Sequence, residues 1–205
     1  MNASASTRPD YSTYPRLTMA EARDAARQLI AMRGAGSTVD DVRLLSLQRF
    51  YAMEARLLDE ERYQEWYELL ADDLFYWLPL RQNRHRREGG DGADPDAMAF
   101  FDDCKADIAV RVGRLASGLA WTEDPPTRHV YVISNVEGFE TGVAGELEVH
   151  STFIQYRNRS EHDDATIVGR RRDLLRIAGD GYMIARRLVL VPQSVLLTKN
   201  LSVFF

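Results

Sequence analysis

The sequence is poor in the residues that build metal and redox sites. One cysteine, Cys104, stands among 205 residues, with four histidines. An internal disulfide is therefore excluded, which fits a reducing compartment. A thiolate zinc site is excluded too, as is an iron–sulfur cluster needing two cysteines and two histidines. A mononuclear iron site asks for two histidines and a carboxylate on one face. His85, His129, His150 and His162 form no i, i+4 pair, and the one pair with a chance to meet, His129 and His150, would do so across a sheet. No apolar run reaches the roughly 18 residues a membrane span needs. Met1 to Tyr14 lacks the charged start and apolar middle of a signal peptide. The expectation is a cytoplasmic protein with no membrane contact. Neither a glycine-rich phosphate loop nor a G-x-S-x-G elbow occurs. Lysine is nearly missing: Lys105 and Lys199 are the only two among 26 basic residues. Arginine's planar fork suits carboxylate pairing and interfaces, although a GC-rich genome produces the same bias. The net charge of -5 argues against a nucleic-acid binder.

What is present divides into a helical first third and a strand-rich second half. Residues 1–17 read as an N-terminal arm and residues 18–205 as one domain. Thr18 with Glu21 has the spacing of a capping box, and the helix it starts should end near Gly34 and Gly36. Ser37 to Asp41 offers caps for a longer helix, on which Leu47, Phe50, Tyr51, Leu57 and Leu58 form one stripe. Asp59 is placed to cap a third helix carrying Tyr63, Trp66, Tyr67 and Leu70 at amphipathic spacing. Leu74–Arg81 reads as a strand, with Pro79 implying an edge or a bulge. Arg84 to Asp96 is a charged, glycine-rich loop. Asp102 or Asp103 should cap another helix, with Cys104, Ile108, Val112, Leu115 and Leu119 on its apolar stripe. Trp121 to Thr127, with its two prolines, is an extended turn.

From Arg128 onward four runs have strand length and composition: Arg128–Glu140, Val143–Arg159, Ala165–Ile177 and Tyr182–Pro192. Thr141-Gly142 and Gly179-Asp180-Gly181 read as tight hairpin turns between them. The pattern predicts an α+β domain with helices on one side of an antiparallel meander. Strands this long bend strongly through bulges, and a bent sheet closed by helices makes a cone with a cavity.

Two chemical readings of that cone stand side by side. Tyr76, His129, Tyr131, Arg171 and Asp173 are the groups that could line its cavity, and a carboxylate in an apolar pocket can abstract a proton. A local ion pair between Arg171 and Asp173, on one face of one strand, explains them as structure instead. Glu54, on the apolar stripe of the second helix, is either catalytic or buried against an arginine such as Arg62 or Arg114. Cys104 reads as an inert buried thiol. On the last long strand but one, Arg170, Arg172 and Arg176 share a face with Val168 and Leu174. That mixture suits contact with another chain; a salt-bridged sheet surface is the other reading.

Several ordered motifs resemble a known family. Leu57 to Leu80 (LLDEERYQEWYELLADDLFYWLPL), Arg114 to Val136 (RLASGLAWTEDPPTRHVYVISNV), Phe153 to Arg159 (FIQYRNR), Val168 to Arg176 (VGRRRDLLR) and Lys199 to Phe205 (KNLSVFF) are similar to the β subunits of aromatic-ring-hydroxylating dioxygenases. The resemblance covers residues 40 to 205. It implies a cone-like fold of the nuclear-transport-factor-2-like type. It also implies a structural, non-catalytic role beside an α subunit that carries a Rieske 2Fe-2S cluster and a mononuclear iron, three of each chain assembling as α3β3. The complete system would carry out NAD(P)H-dependent cis-dihydroxylation of an aromatic ring. Interface candidates are Trp121, Asp124, Arg128, Tyr156, Arg157, Arg159, Arg170, Arg172, Arg176, Phe204 and Phe205. The alternative is a free-standing isomerase or dehydratase using the cone pocket.

Overall fold

A computed structural model describes residues 15–81, 85, 87, 92–116, 127–161, 163–193 and 204–205. Trp121, Asp124 and nearly all of the N-terminal arm lie outside that set. The chain runs α1 (Met19–Ala31), α2 (Asp41–Asp59), α3 (Tyr63–Tyr67), β1 (Leu70–Pro79), β2 (Ala99–Cys104), α4 (Lys105–Ala116), β3 (Arg128–Glu140), β4 (Glu146–Ser160), β5 (Asp163–Ala178) and β6 (Gly181–Leu190). The six strands form one sheet in the order β2-β1-β6-β5-β4-β3. Every neighbouring pair is antiparallel except β1 and β6, which run parallel.

Local chemistry starts the helices where the residues say it should. Thr18 and Glu21 close a full capping box on α1. Asp40 caps α2 by accepting from the Arg43 N–H. Asp59 does not cap the next helix. It ends α2 and accepts a hydrogen bond from the Tyr131 N–H at 2.9 Å, tying the helix to β3. α1 ends at Ala31, before Gly34, whose φ of +67° and N–H bond to Glu148 make it part of the following turn.

The segment before α4 departs from the helix expected there. Ala99–Cys104 is a strand, paired antiparallel to β1 with Phe75 opposite Cys104. Asp107 accepts from both the N–H and the thiol of Cys104, which pins the strand-to-helix junction one residue before α4 begins. Ile108 and Val112 are buried, as their spacing requires, while Leu119 lies outside the described residues. β1 is likewise longer than expected, and it is an interior strand rather than an edge. Pro79 sits at a register shift, the bulge a missing N–H demands. The connection from β3 to β4 spans residues 141–145, with Gly142 and Gly145 both at φ +82°, so it is longer than a tight hairpin turn.

Alternation along the strands creates two faces. On the inner one, Leu74, Tyr76, Leu78, Leu147, Val149, Phe153, Ile167, Leu175, Ile184 and Val189 meet residues of α2, α3 and α4 in the main core. The helices are not all on that side. α1 packs Ala25, Ala26 and Leu29 against Phe75, Trp77, Leu188 and Leu190, which point outward from β1 and β6. The outer face of β3, β4 and β5 has no such cover among the described residues, and Val130, Val132, Ile154, Tyr156 and Val168 are exposed there.

Candidate functional site

Inside the cone, four charged side chains meet. Glu54 comes from α2, Arg171 and Asp173 from β5, and Arg187 from β6; none is more than 2 % exposed. Arg187 makes two forks. Its Nε and Nη2 donate to Asp173 at 2.9 and 2.7 Å, and its Nη1 and Nη2 donate to Glu54 at 2.5 and 3.2 Å. Arg171 donates to Glu54 at 3.1 Å and to the Ser151 hydroxyl at 3.2 Å. The Tyr51 hydroxyl donates to Asp173 at 2.8 Å, and the Trp66 indole N–H to Glu54 at 3.2 Å. Two carboxylates face two guanidiniums, so the cluster is neutral as a whole. Planar, bidentate arginine geometry makes that burial tolerable.

The segment at Phe204-Phe205 packs beside this cluster, while a cavity of about 480 Å³ lined by Tyr51, Asp59, Tyr131 and Ile133 stays open between α2 and β3. Phe204 stacks on Trp66 with ring centres 4.3 Å apart, and Phe205 lies 5.4 Å from Phe153. The Tyr131 hydroxyl donates to the Phe204 main-chain oxygen at 2.7 Å. Tyr76 accepts from the Phe205 N–H at 2.6 Å and donates to its main-chain oxygen, which also receives Arg187. Phe204 and Phe205 were expected at an interface between chains. Both are at most 1 % exposed, so they are core side chains.

This arrangement is poor equipment for acid–base work. Burial alone would raise the Glu54 carboxyl, but Arg187 and Arg171 outweigh it and hold the group below the usual carboxylate range. A base for proton abstraction is tuned the other way, toward neutrality. Burial pushes the Tyr76 hydroxyl up to about 12 and those of Tyr51 and Tyr131 well above their ordinary value, so all three stay protonated donors. His129 and His150 do not meet. His129 is opposite Arg157 and contacts Gln155 on the inner face, whereas His150 is opposite Glu137 and pairs with Glu148 at 2.6 Å. No group of three His, Cys, Asp or Glu that could hold a metal occurs among the described residues. Burial pushes the Cys104 thiol up, away from the reactive thiolate.

The arginines expected to act together are dispersed. Arg170, Arg172 and Arg176 do share the outer face of β5, but Arg176 is engaged by Asp73 at 2.6 and 3.0 Å and by Glu146 at 2.9 Å. Arg172 donates to the Ile30 carbonyl. Arg170 is exposed beside Val168. Arg157 points inward, 1 % exposed, and pairs with Asp163, which removes it from the outer surface. Arg128 and Tyr156 are exposed, and Arg159 is half-buried. Glu54 is buried against arginine, as one reading had it, but with Arg171 and Arg187 rather than Arg62 or Arg114. Arg62 is committed to Glu60 and Glu65. The Arg171–Asp173 pair is replaced by two longer-range partnerships. Arg187 was missed: counting by twos from Tyr182 and Ile184 brings Arg186 inward, and the register shift at Ala185 turns Arg187 in instead.

Fold and interior together define a nuclear-transport-factor-2-like cone, six strands and packed helices, with a buried ion cluster inside it. The family model for the ring hydroxylating beta subunit matches residues 53–198. The β subunit of biphenyl 2,3-dioxygenase from Rhodococcus jostii is 38% identical over 185 residues, covering 89% of this chain and 99% of that one. The β subunit of benzene 1,2-dioxygenase from Pseudomonas putida is 40% identical over 162 residues, 78% of this chain and 87% of that one. Among solved structures, a naphthalene 1,2-dioxygenase with indole in its active site superposes with a TM-score of 0.74 at 21% identity, covering 92% of this chain and 95% of that chain. The chain belongs to the family of β subunits of aromatic-ring-hydroxylating dioxygenases.

Proposed function

We propose that this chain supports a Rieske-type α subunit in the cis-dihydroxylation of an aromatic compound, in the cytoplasm, within an α3β3 assembly. The 2Fe-2S cluster and the mononuclear iron belong to the α subunit, and this chain contributes shape and contact surface. One observation carries the reading: the two carboxylates held inside the cone, Glu54 and Asp173, are taken up by the guanidiniums of Arg171 and Arg187, with Phe204-Phe205 packed beside them. A free-standing isomerase or dehydratase would need a base open to substrate there. Both interior carboxylates are instead saturated by guanidiniums. Trp121, Asp124, Arg128, Tyr156, Arg159, Arg170 and Arg172 remain the proposed contact residues.

The test is co-expression with a Rieske α subunit, followed by native mass determination and iron analysis. A complex with three of each chain, in which iron follows the α chain and the separated β chain turns over nothing, is the expected result. A stoichiometric transition metal on the separated β chain, or dehydration or isomerisation by it, would overturn the proposal.

A further inference from the structure

Three side chains inside the cone converge on the main chain of one short segment. Tyr76 belongs to β1, Arg187 to the adjacent β6, and Tyr131 to β3, which β5 and β4 separate from β6. The Tyr131 hydroxyl reaches the Phe204 main-chain oxygen at 2.7 Å. Tyr76 and Arg187 reach the Phe205 main-chain oxygen at 2.9 and 2.8 Å, and the Phe205 N–H returns to the Tyr76 hydroxyl at 2.6 Å. Each ring has its own surroundings. Phe204 has the Trp66 indole at 4.3 Å and the Arg111 guanidinium at 4.5 Å. Phe205 has Phe153 at 5.4 Å. The Arg171 guanidinium stands 6.0 Å from that same Phe153 ring, and its Nη2 meets no partner among the described residues. Apolar packing draws no benefit from buried donors, and each one without an acceptor costs the hydrogen bond it gave up with water. Aromatic walls with a few convergent polar groups are instead the make-up of a small-molecule pocket.

We propose that the interior of the cone is a binding site for N-acylated aromatic amino acids, in which Phe204-Phe205 is held as an intramolecular ligand. The site goes beyond the reading of this chain as a β subunit and does not depend on it. Each part of such a ligand has its receptor. The acyl carbonyl takes the place of the Phe204 oxygen and accepts from Tyr131. The amide N–H donates to Tyr76, and the next carbonyl or carboxylate oxygen accepts from Tyr76 and Arg187. The ring lies against Phe153. Burial keeps both tyrosine hydroxyls protonated, so they remain donors to these oxygens. Donors from the two sides of a curved sheet fix the spacing of the two acceptors. An aromatic hydrocarbon offers neither acceptor and leaves these donors unpaired.

The test deletes Phe204 and Phe205 from the full chain and adds N-acetyl-phenylalanyl-phenylalanine. Calorimetry should show saturable binding, and the melting temperature should climb with peptide concentration toward that of the undeleted chain, as for any ligand that binds only the folded state. The undeleted chain, whose site is filled, should bind the same peptide at least tenfold more weakly. Tyr131→Phe in the deleted chain removes one buried donor and should weaken binding roughly tenfold. N-acetyl-alanyl-alanine, which lacks the rings, and toluene, which lacks the acceptors, should both bind far more weakly than the aromatic peptide. Toluene binding as tightly as the peptide overturns the proposal, because the vacated space is then the plain apolar hollow that any core truncation leaves. Equal affinity for the deleted and undeleted chains overturns it too, as does a folded deleted chain that binds no peptide. Where the deleted chain does not fold by itself, refolding with peptide present takes the place of calorimetry. Recovery of the native near-ultraviolet circular dichroism with the aromatic peptide, and not with the alanine peptide, supports the site, and no recovery overturns it.

Discussion

Arg170, Arg171 and Arg172 are consecutive, yet they live in two different media. Arg171 points into the cone, 2 % exposed, and spends its hydrogen bonds on Glu54 and Ser151. Its two neighbours point outward, next to Thr152 and His150 of β4. A period of two along the strand is enough to separate them. The inner arginine is held by a partner more than a hundred residues away in sequence, Glu54, as well as by a nearer one, Ser151, and removing a partner there strands a charge in a low dielectric. The outer ones stay in contact with water, where ion pairs are worth little unless another chain excludes the solvent. The same residue type therefore serves internal architecture on one face and the outer surface of the sheet on the other.

The contrast is sharpest for Arg187. Arg187→Met leaves both Glu54 and Asp173 without their main counter-charge and should destabilise the isolated chain by about 3–5 kcal/mol, measured by urea unfolding. A loss under about 1 kcal/mol would mean that water reaches the cluster and the cone is not sealed. Phe204→Ala removes the ring stacked on Trp66 and should cost roughly 3 kcal/mol. If the variant is as stable as wild type, the segment at 204–205 lines the cone loosely rather than closing it.

Acid probes the same interior. Arg187 and Arg171 lower the Glu54 carboxyl in the folded state against its ordinary 4.5. Its contribution to stability is therefore present above about pH 4.5 and is lost as the pH falls through the lower, folded-state value. Unfolding free energy should drop on acidification below that point, and Glu54→Gln should flatten this part of the profile. An unchanged slope in the variant would place the acid sensitivity elsewhere; Asp73, held low by Arg176 and Arg186, and Asp107, held low by Cys104 and Arg16, both against the effect of burial, are other such carboxylates.

On the outer face the expected effects on the isolated chain are small. Disrupting the Arg176–Asp73 pair, whose side chains are 38% and 43% exposed, should change stability by about 0–1 kcal/mol. Arg170→Ala should stay within roughly 0.5 kcal/mol of wild type. A larger loss from Arg170→Ala would show that this arginine is part of the fold, which would erase the division between the two faces.

Sequence alone determined what depends on neighbours along the chain. The capping box of α1, the cap of α2, the amphipathic stripe on which Glu54 sits, the alternation that separates Arg171 from Arg170 and Arg172, and the four meander strands all follow from spacing. The shortage of cysteine ruled out thiolate metal sites before any coordinates, and the ordered motifs gave the family. Tertiary structure decided everything that depends on which distant segments meet. β2 is a strand because β1 offers it an edge, although its own residues read as the start of a helix. α1 covers the opposite face from its sister helices because Phe75, Trp77, Leu188 and Leu190 project there. Glu54 found Arg171 and Arg187 rather than Arg62, and Phe204-Phe205 turned inward to Tyr76 and Tyr131. The hydrogen bonds of Glu54 and of Phe204-Phe205 named here span between 73 and 133 positions. Burial in a shared interior selects them, because a charge or a main-chain group removed from water must find its partner wherever the fold supplies one.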